Sequence, residues 1–429
     1  MYDCDVCIVG AGSAGIGAAV RAAESGASVI LIEKNQRIGG TAVNAWINGW
    51  EPSAGGSGLA KTIWQTMLPH HPNPLVPYES TLRGAPPEVR WSLPFPVDLY
   101  VWAVEKLFGQ HPNLRVLTDT PFVAAQVAGT RVRHIVVVRD GQQHRIAARV
   151  FIDSSADGNL CVAAGCQWRL GEDAQSDFNE PHAPQTPQRR LNALDLIYAV
   201  QYTGEDVPFD LPDDVEPGLL DKDAHVLECP PGYRTINTCG SMAGIRWIDE
   251  DRGALLAEAR RRSLSHFDYF RRRDPWYRRC RFMGTAPQIG VRETRRIVCE
   301  YTLTEHDVMT GYDRQDHADM VAICDHPLDV HGQGHLHQWL DRPYGVPYRC
   351  LIPKGLENLL AAGRCAGFSH IAGSTCRLSR TMMALGEAAG LAANLMVSRN
   401  LGALEVPFSE LLAKLIIDDR PDFVPLPRL

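Results

Sequence analysis

Three arginines stand close together in the stretch MGTAPQIGVRETRRIVCEYTLTEHDV, at Arg292, Arg295 and Arg296. A guanidinium group keeps its charge and presents a planar fork of N–H donors. It therefore suits bidentate binding of a carboxylate and stabilises negative charge that develops during a reaction. An Arg-Glu-Arg cluster is also common in structural ion-pair networks. This chemistry makes Arg292 and Arg295 candidate catalytic residues and leaves the structural alternative open.

A histidine-rich segment, DVHGQGHLHQWL, lies further along the chain. Because the ordinary pKa of histidine is near neutral, His331 is a candidate general acid or base. Its spacing to His335 and His337 would suit zinc only in a helix, and two intervening glycines disfavour one, so we expect no metal site. Tyr348, in VPYRCLIPK, is a second candidate proton donor. For both side chains, packing within a loop is the alternative.

These side chains need a scaffold, and the N-terminal stretch DVCIVGAGSAGIGAAVRAAESGASVILIE predicts one. Apolar runs flank Gly10, Gly12 and Gly15, which have the G-x-G-x-x-G spacing, and a helix pattern of small residues follows. The order predicts a strand, a tight turn, a helix and a second parallel strand that bind a dinucleotide. The first glycine permits the turn, the second lets a pyrophosphate approach the backbone, and the third lets the helix pack on the strand.

The residues after this turn complete the predicted dinucleotide site. The amides of Ser13 and Ala14 lie at the positive end of the helix and should face the phosphates. Glu33, at the end of the second strand, is placed to accept hydrogen bonds from a ribose hydroxyl, and Lys34 follows it. The motif alone does not distinguish FAD from NAD. The next segment, KNQRIGGTAVN, adds three candidate contacts: Gly40, Thr41 and Asn44.

From Phe122 to Arg149 the hydrophobic pattern changes to a period of two, and Asp140-Gly141 suits a hairpin turn. Three antiparallel strands are expected there, followed by a strand that leads into FIDSSADGNL. Together with the glycine motif, this order resembles the antiparallel meander of FAD-binding domains.

Three separated blocks resemble a large family of FAD-dependent oxidoreductases, distantly related to the flavoprotein subunits of fumarate reductase and succinate dehydrogenase. They are AARVFIDSSADGNLCVAAGC, the arginine-rich stretch given above, and NLLAAGRCAGFSHIAGSTCRLSRTMMALGEAAGLAANL. This chain departs from the usual residues of the family at Ser155, Ala156, Thr294, Cys299 and Arg380. The resemblance implies a non-covalently bound FAD.

The resemblance also implies which residues lie near the cofactor. The segment with Thr41 would run beside the flavin, and the first meander strand would pass near the adenine. The strand that ends at Gly363 would approach the ribityl chain, and a helix that starts at Thr381 would face the pyrimidine ring. The contacts implied by these blocks are Val123, Ser155, Asp157, Gly363, Arg364, Thr381 and Met382. His370 and Arg377 loosely resemble a catalytic pair of fumarate reductases and join the candidate catalytic residues.

The expected fold is α/β. A Rossmann-like FAD-binding domain, with a parallel sheet and an antiparallel β-meander, would comprise residues 1–166 and 345–400. Residues 167–344 would form an inserted α+β substrate domain, and residues 401–429 a C-terminal extension.

Composition limits the partners. A net charge of -7 disfavours a nucleic-acid surface, and no apolar run reaches membrane-spanning length. Because the first strand begins almost at Met1, without a leader pattern, we expect a cytoplasmic protein. A homo-oligomer and the identity of the electron donor or acceptor stay open.

The predicted function is transfer of a hydride between a small organic substrate and flavin N5. A flavin-dependent monooxygenase is the first alternative, although Gly363-Arg364 replaces the usual Gly-Asp of its phosphate motif. A non-catalytic FAD-binding protein that transfers electrons is the second. No second G-x-G-x-x-G domain is present, so tight binding of NAD(P)H by a dedicated domain is not expected.

Overall fold

The computed structural model describes residues 2–50, 58–73, 93–332 and 334–417. Residues 418–429 of the expected C-terminal extension lie outside this part of the chain. In chain order, the strands β1–β19 are Tyr2–Val9, Val29–Ile32, Gly49–Trp50, Leu93–Pro94, Leu114–Leu117, Phe122–Ala128, Arg131–Arg139, Gln142–Asp153, Trp168–Arg169, Tyr198–Tyr202, His225–Glu228, Tyr233–Asn237, Cys280–Thr285, Arg296–Ile297, Met320–Cys324, Leu328–Val330, Leu336–Gln338, Tyr344–Pro347 and Leu359–Ala361. The helices α1–α13 are Ser13–Glu24, Thr41–Asn44, Leu59–Met67, Val97–Phe108, Asn159–Ala163, Gln175–Phe178, Arg246–Asp249, Arg252–Arg273, Pro275–Arg278, Glu305–Thr310, His370–Thr375, Ser379–Arg399 and Phe408–Leu412.

The largest sheet has the strand order β5-β2-β1-β8-β7-β6, and β19 pairs with β8. β1 is parallel to β2 and to β8, and β19 is parallel to β8. The carboxyl ends of these parallel strands therefore meet at one edge of the sheet, as in other open α/β sheets that bind ligands there. The predicted α/β class and the strand, turn, helix and strand order of the N-terminus are confirmed.

The predicted meander is present, with one correction. Asp140 and Gly141 both have positive φ, 51° and 73°, as a type I′ hairpin turn requires, and β7 is antiparallel to β8. The expected third meander strand and the strand after it are one continuous strand, β8, of 12 residues. Its first half pairs with β7 and its second half with β1, so a single strand joins the meander to the parallel sheet.

Helices α1 and α12 pack unusually close together because both carry small residues. A Cβ on Gly17 would collide with the Met383 carbonyl, and a Cβ on Gly386 would collide with that of Ala14. Side chains at these positions would push the helices apart. Helix α12 begins at Ser379, two residues before the predicted start at Thr381.

A second sheet, with the order β11-β12-β10-β13, is antiparallel and lies within the predicted substrate domain. Its own apolar core includes Tyr198, Phe267 and Tyr277. The long helix α8 contributes to this core and is capped by Asp251, whose side chain accepts a hydrogen bond from the amide of Ala254 at 2.9 Å.

The two predicted domains are not separated by a sharp boundary near residue 344. β18 spans the expected boundary at residue 344 and pairs with β15 of the insert. Buried side chains of this pair, such as Val321 and Tyr344, belong to the same core as those of α1 and α12. The domain limits stay a prediction. None of the helices in the described residues is long and apolar enough to cross a membrane.

Candidate active site

A first cavity, here called the cofactor cavity, lies at the carboxyl edge of the parallel sheet and encloses about 1150 Å³ including its mouth. The sheet topology explains its place, since β1, β2, β8 and β19 all end there. Most of the predicted cofactor residues line it: Gly10, Gly12, Ser13, Ala14, Glu33, Lys34, Gly40, Thr41, Ser155, Asp157, Gly363, Arg364 and Met382.

Close contact between two turns forms the floor of the cofactor cavity. Gly10 has a φ of 101°, and a Cβ there would collide with the Ser154 carbonyl. A Cβ on Gly40 would lie 2.7 Å from the Cα of Gly12, so the two turns touch through their backbones. Among the described residues, a Cβ on Gly12 itself would meet only the Cα of Gly40, at 3.8 Å, because this side faces the open cavity.

Glu33 has two roles in this geometry. Its Oε2 accepts a hydrogen bond from the amide of Ala11 at 2.8 Å, and its Oε1 accepts one from the amide of Asn35 at 3.0 Å. The side chain is buried yet lines the cavity. It therefore holds the glycine turn in place as well as presenting a carboxylate to a ligand.

Asp157 joins the three family-like blocks at the cavity wall. Its Oδ1 accepts hydrogen bonds from the Thr294 hydroxyl at 2.9 Å and from Arg364 at 2.7 Å. Burial alone would raise the pKa of the Asp157 carboxyl, but Arg364 and Thr294 outweigh it, so this pKa lies below its ordinary value. The carboxylate is ionised at neutral pH and fixes the guanidinium of Arg364 at the cavity.

Four predicted cofactor residues do not line the cofactor cavity. Gly15 lies beneath the turn, where a Cβ would collide with the Gly10 carbonyl, in keeping with its expected packing role. Asn44 turns inward and donates to the Arg37 carbonyl at 3.2 Å. Val123 is 47% exposed and its neighbour Phe122 lines the cavity instead, because successive strand residues face opposite sides. Thr381 is buried within α12.

A second cavity, here called the substrate cavity, has a volume of about 1810 Å³ including its mouth and adjoins the first. Two tryptophans, Trp50 and Trp339, and apolar residues such as Leu378 form part of its wall. Charged groups form much of the rest, among them Asp195, Asp325, Asp329, Arg292 and Arg380. Five residues line both cavities: Thr41, Val291, Arg364, Arg377 and Ser379.

Arg292 is fixed in the wall of the substrate cavity. It forms an ion pair with Asp195 and donates to the Ala193 carbonyl at 2.8 Å. Asp195 also accepts from the amide of Ser241 at 3.2 Å and from the Thr238 hydroxyl at 3.3 Å. Burial opposes the charge of Arg292, but the Asp195 carboxylate outweighs this effect and raises its pKa. The guanidinium is therefore a rigid, permanently charged group.

His331 and Arg377 meet at one carboxylate in the same cavity. Nε2 of His331 lies 2.7 Å from Oδ2 of Asp329, and Nη2 of Arg377 lies 2.7 Å from the same oxygen. The three side chains are mostly buried and line the cavity. The histidine segment forms the β16 and β17 hairpin rather than a helix, as its glycines led us to expect.

Three predicted catalytic residues lie outside both cavity walls. Arg295 donates to Oδ1 of Asn159 at 2.6 Å. Tyr348 is buried and its hydroxyl donates to the Ala403 carbonyl at 3.2 Å; burial raises its pKa. His370 is buried with Nδ1 3.0 Å from Oε1 of Glu293.

The buried partners of His370 form an ion-pair network. Such a network is the structural alternative that the sequence analysis left open for the arginine cluster. Arg296 is 1% exposed and pairs with both Asp173 and Glu293. Burial would raise the pKa of Glu293, but the nearby His370 and Arg296 lower it to about 2. The structural alternative thus fits Arg296, whereas Arg292 of the same motif faces a cavity.

Sequence reasoning missed several residues of the substrate cavity, including Asp195, His225, Cys239 and Trp339. No local pattern marks them, since they come from separate parts of the chain. Asp329 could have been identified from the sequence as a neighbour of His331. It precedes His331 by two residues, and in an extended strand such residues face the same side.

The cofactor cavity also contains buried polar atoms that have no hydrogen-bond partner in the described residues. They are Oγ of Ser154, Nε of Arg364 and Nε1 of Trp247. Buried polar groups are normally paired, so these atoms fit a ligand with many acceptors and donors. The residues present therefore fit a dinucleotide with its pyrophosphate at the start of α1.

Comparisons with known proteins identify the family of this chain. A family model described as FAD dependent oxidoreductase matches residues 5–415. A fumarate reductase (cytochrome) of Shewanella frigidimarina is 42% identical over 80 residues, which are 19% of this chain and 13% of the relative. The matched stretch is thus a small part of that relative.

Solved structures give more distant matches. A geranylgeranyl bacteriochlorophyll reductase-like protein from Thermoplasma acidophilum is 15% identical, with 93% of this chain and 80% of the other covered and a TM-score of 0.46. A p-nitrophenol 4-monooxygenase from Pseudomonas putida DLL-E4 is 10% identical, with 97% and 87% covered and a TM-score of 0.47. By the family match, which extends over nearly its whole length, the chain belongs to the FAD-dependent oxidoreductases, and its cofactor is FAD.

Proposed function

We propose that the protein passes a hydride between a small organic substrate in the substrate cavity and FAD in the cofactor cavity. One observation carries this proposal: residues such as Thr41, Arg364 and Arg377 line both cavities, so a ligand in each would meet at a shared wall. FAD supplies a two-electron acceptor at that wall, and the protein supplies binding, orientation and charge.

The cofactor would be held non-covalently, with its two ends in different surroundings. The turn at Gly10 and Gly12 and the amides of Ser13 and Ala14 suit the pyrophosphate, because they combine close backbone approach with the positive end of α1. Glu33 suits the adenosine ribose. The flavin would then lie toward the residues common to both cavities.

The substrate cavity would orient its ligand through fixed charges. The pairs Arg292 with Asp195 and Arg377 with Asp329 hold two guanidinium groups in place before a substrate arrives. Preorganised donors stabilise charge that develops during a reaction without having to reorient. The apolar part of the wall, with Trp50 and Leu378, would exclude water from the reacting atoms.

Two measurements test this proposal. Purified protein should be yellow and should release FAD on denaturation; a colourless preparation that takes up no added FAD would contradict it. Anaerobic mixing of oxidised protein with a panel of alcohols, amines and carboxylic acids should then bleach the flavin absorption for at least one class.

Other outcomes of the same experiment distinguish the two alternative functions. A monooxygenase would consume oxygen in proportion to a hydroxylated product. An electron-transfer protein would have flavin that a protein donor reduces but that turns over no small molecule. Either result would replace hydride transfer as the function, and both would leave the FAD site intact.

A further inference from the structure

The substrate cavity contains a carboxylate and imidazole pair that the proposed function does not yet use. Asp329 and His331 both lie on the β16 and β17 hairpin, and Oδ2 of Asp329 contacts Nε2 of His331 at 2.7 Å. Arg377 holds the same oxygen from the loop before α12. Because Arg377 lines both cavities, this pair is anchored at the wall where substrate and flavin would meet.

The pair fixes which nitrogen of the imidazole carries a hydrogen. Burial would raise the pKa of the Asp329 carboxyl, but His331 and Arg377 outweigh it and hold this pKa far below its ordinary value. An ionised carboxylate accepts hydrogen bonds only, so Nε2 of His331 must be the donor. Nδ1 then carries a lone pair, and it has no hydrogen-bond partner among the described residues.

The surroundings of His331 keep the imidazole neutral at neutral pH. Burial lowers its pKa, the nearby charges of Arg292 and Arg377 lower it further, and Asp329 opposes them without overcoming them. His335 of the same hairpin is a further titratable neighbour, with its ring centroid 6.2 Å away. The backbone amide of His331 donates to Oδ1 of Asn192 at 2.9 Å, which holds the main chain in place at this residue.

We infer that His331 is the general base of the reaction and that Asp329 is its positioning residue. In the oxidising direction, Nδ1 of His331 takes the proton from an O–H or N–H group of the substrate. The electron pair of that bond forms the new C=O or C=N bond, while the adjacent carbon loses its hydride to the oxidised cofactor. The resulting imidazolium donates to Asp329, and the reverse reaction returns the proton.

This inference rests on the proposed function and narrows the substrate to a secondary or primary alcohol or amine, or the matching carbonyl or imine. A substrate that loses hydrogen only from carbon atoms would use no such base. The substrate panel therefore separates this chemistry from desaturation of a C–C bond.

The first test reads the imidazole directly and needs no substrate. In FAD-loaded protein with 15N-labelled histidine, with the signal assigned by its loss in His331→Gln, we expect Nε2–H as the tautomer at pH 7.5 and a pKa below 6.5. Asp329→Asn should lower that pKa further and mix the tautomers. An Nδ1–H tautomer, or a His331 pKa unaffected by Asp329→Asn, would contradict the inference that Asp329 positions the imidazole of His331.

The second test follows flavin bleaching by the alcohol or amine that reacts with wild-type protein. Since the base must be neutral, the wild-type rate should fall as pH decreases through the pKa of His331. His331→Gln keeps an amide that donates to Asp329 but has no base, so its rate should fall about 100-fold and lose this pH dependence. His335→Gln, on the same hairpin, is the matched control and should keep both.

The outcomes separate this inference from the function on which it rests. Bleaching by a substrate at the same rate and with the same pH profile in wild type and His331→Gln would overturn the inference and leave hydride transfer intact. Absence of bleaching by every alcohol and amine, with bleaching by a saturated acid, would also overturn it. Absence of bleaching by the whole panel would count against the proposed function. The tautomer measurement would still show whether Asp329 positions His331.

Discussion

The two cavities are built in different ways. Backbone forms the floor of the cofactor cavity, where glycines at positions 10, 12 and 40 bring two turns into contact. Side chains form the substrate cavity, and its charged pairs join residues far apart in the sequence, as Asp195 and Arg292 do. A site made by the backbone leaves a local signature in the sequence, because only certain residues fit it. A site made by side chains from separate segments leaves none.

The arginine motif shows the same difference within a few residues. Arg292 faces the substrate cavity, whereas Arg296 is buried with Asp173 and Glu293. Sequence spacing does not show which of the two arginines faces a cavity, since both lie close to the same glutamate. The surrounding fold decides which one a ligand can reach.

The largest effects are expected from substitution of Gly15 and Gly12, two glycines of the same motif that differ in what a Cβ would meet. In Gly15→Ala the new Cβ collides with backbone, which cannot move aside, so we expect a loss of more than about 3 kcal/mol in unfolding free energy and no bound FAD. In Gly12→Ala the Cβ enters the cavity, so the fold should persist while FAD binds at least about tenfold more weakly. Thermal melts and flavin content measure both; equal melting temperatures would contradict the expected contrast.

The ion pair of Asp157 should contribute stability that depends on pH. Because its pKa in the folded protein is lowered, its contribution is present above the ordinary value of 3.8 and is lost as pH falls through the folded value. Asp157→Asn should therefore cost about 2 kcal/mol in unfolding free energy at neutral pH, and less below pH 3.8. Urea denaturation of the apoprotein at both pH values measures this.

A matched acid on the surface serves as the control. Asp249 pairs with Arg189 in an exposed position, so Asp249→Asn should change the unfolding free energy far less at neutral pH. Losses of equal size for Asp157→Asn at neutral and acid pH would show that its carboxylate contributes no charge-dependent stability.

Arg292→Lys should affect the substrate cavity alone. The charge remains, so Asp195 stays paired, but the planar fork of donors is lost. We expect unchanged FAD content and a roughly tenfold higher half-saturating concentration of the bleaching substrate, about 1.4 kcal/mol. Arg260→Lys, on the exposed side of α8, is the control. Loss of FAD with unchanged substrate saturation would instead place Arg292 with the cofactor.

The smallest predicted effect is on FAD binding and concerns two neighbouring residues of β6. Phe122 lines the cofactor cavity, whereas Val123 is 47% exposed. Phe122→Ala should weaken FAD binding by about 1 kcal/mol through lost apolar contact, and Val123→Ala should leave it unchanged. Fluorescence titration of apoprotein with FAD measures both; the reverse ranking would restore the predicted register.

Much of the cofactor cavity could be predicted from the sequence. The glycine spacing gave the turn, and the resemblance of three blocks gave Ser155, Asp157 and Gly363, all of which line the cavity. Two of the errors were shifts of one or two residues, at Val123 and at the start of α12, and a third was Asn44, which turns away from the cavity. Local patterns fix the type of an element better than its ends or the face that each residue presents.

The sequence by itself determined the α/β class and the dinucleotide turn, because the steric demands of closely packed backbone restrict those positions to glycine. Only the tertiary structure decided which charged side chains face a cavity. Tyr348 and His370 are buried among protein groups, whereas His331 lines the substrate cavity and contacts Asp329, which also pairs with Arg377. The reason is physical: exposure to a ligand depends on every element packed around a residue, and those elements come from distant parts of the chain.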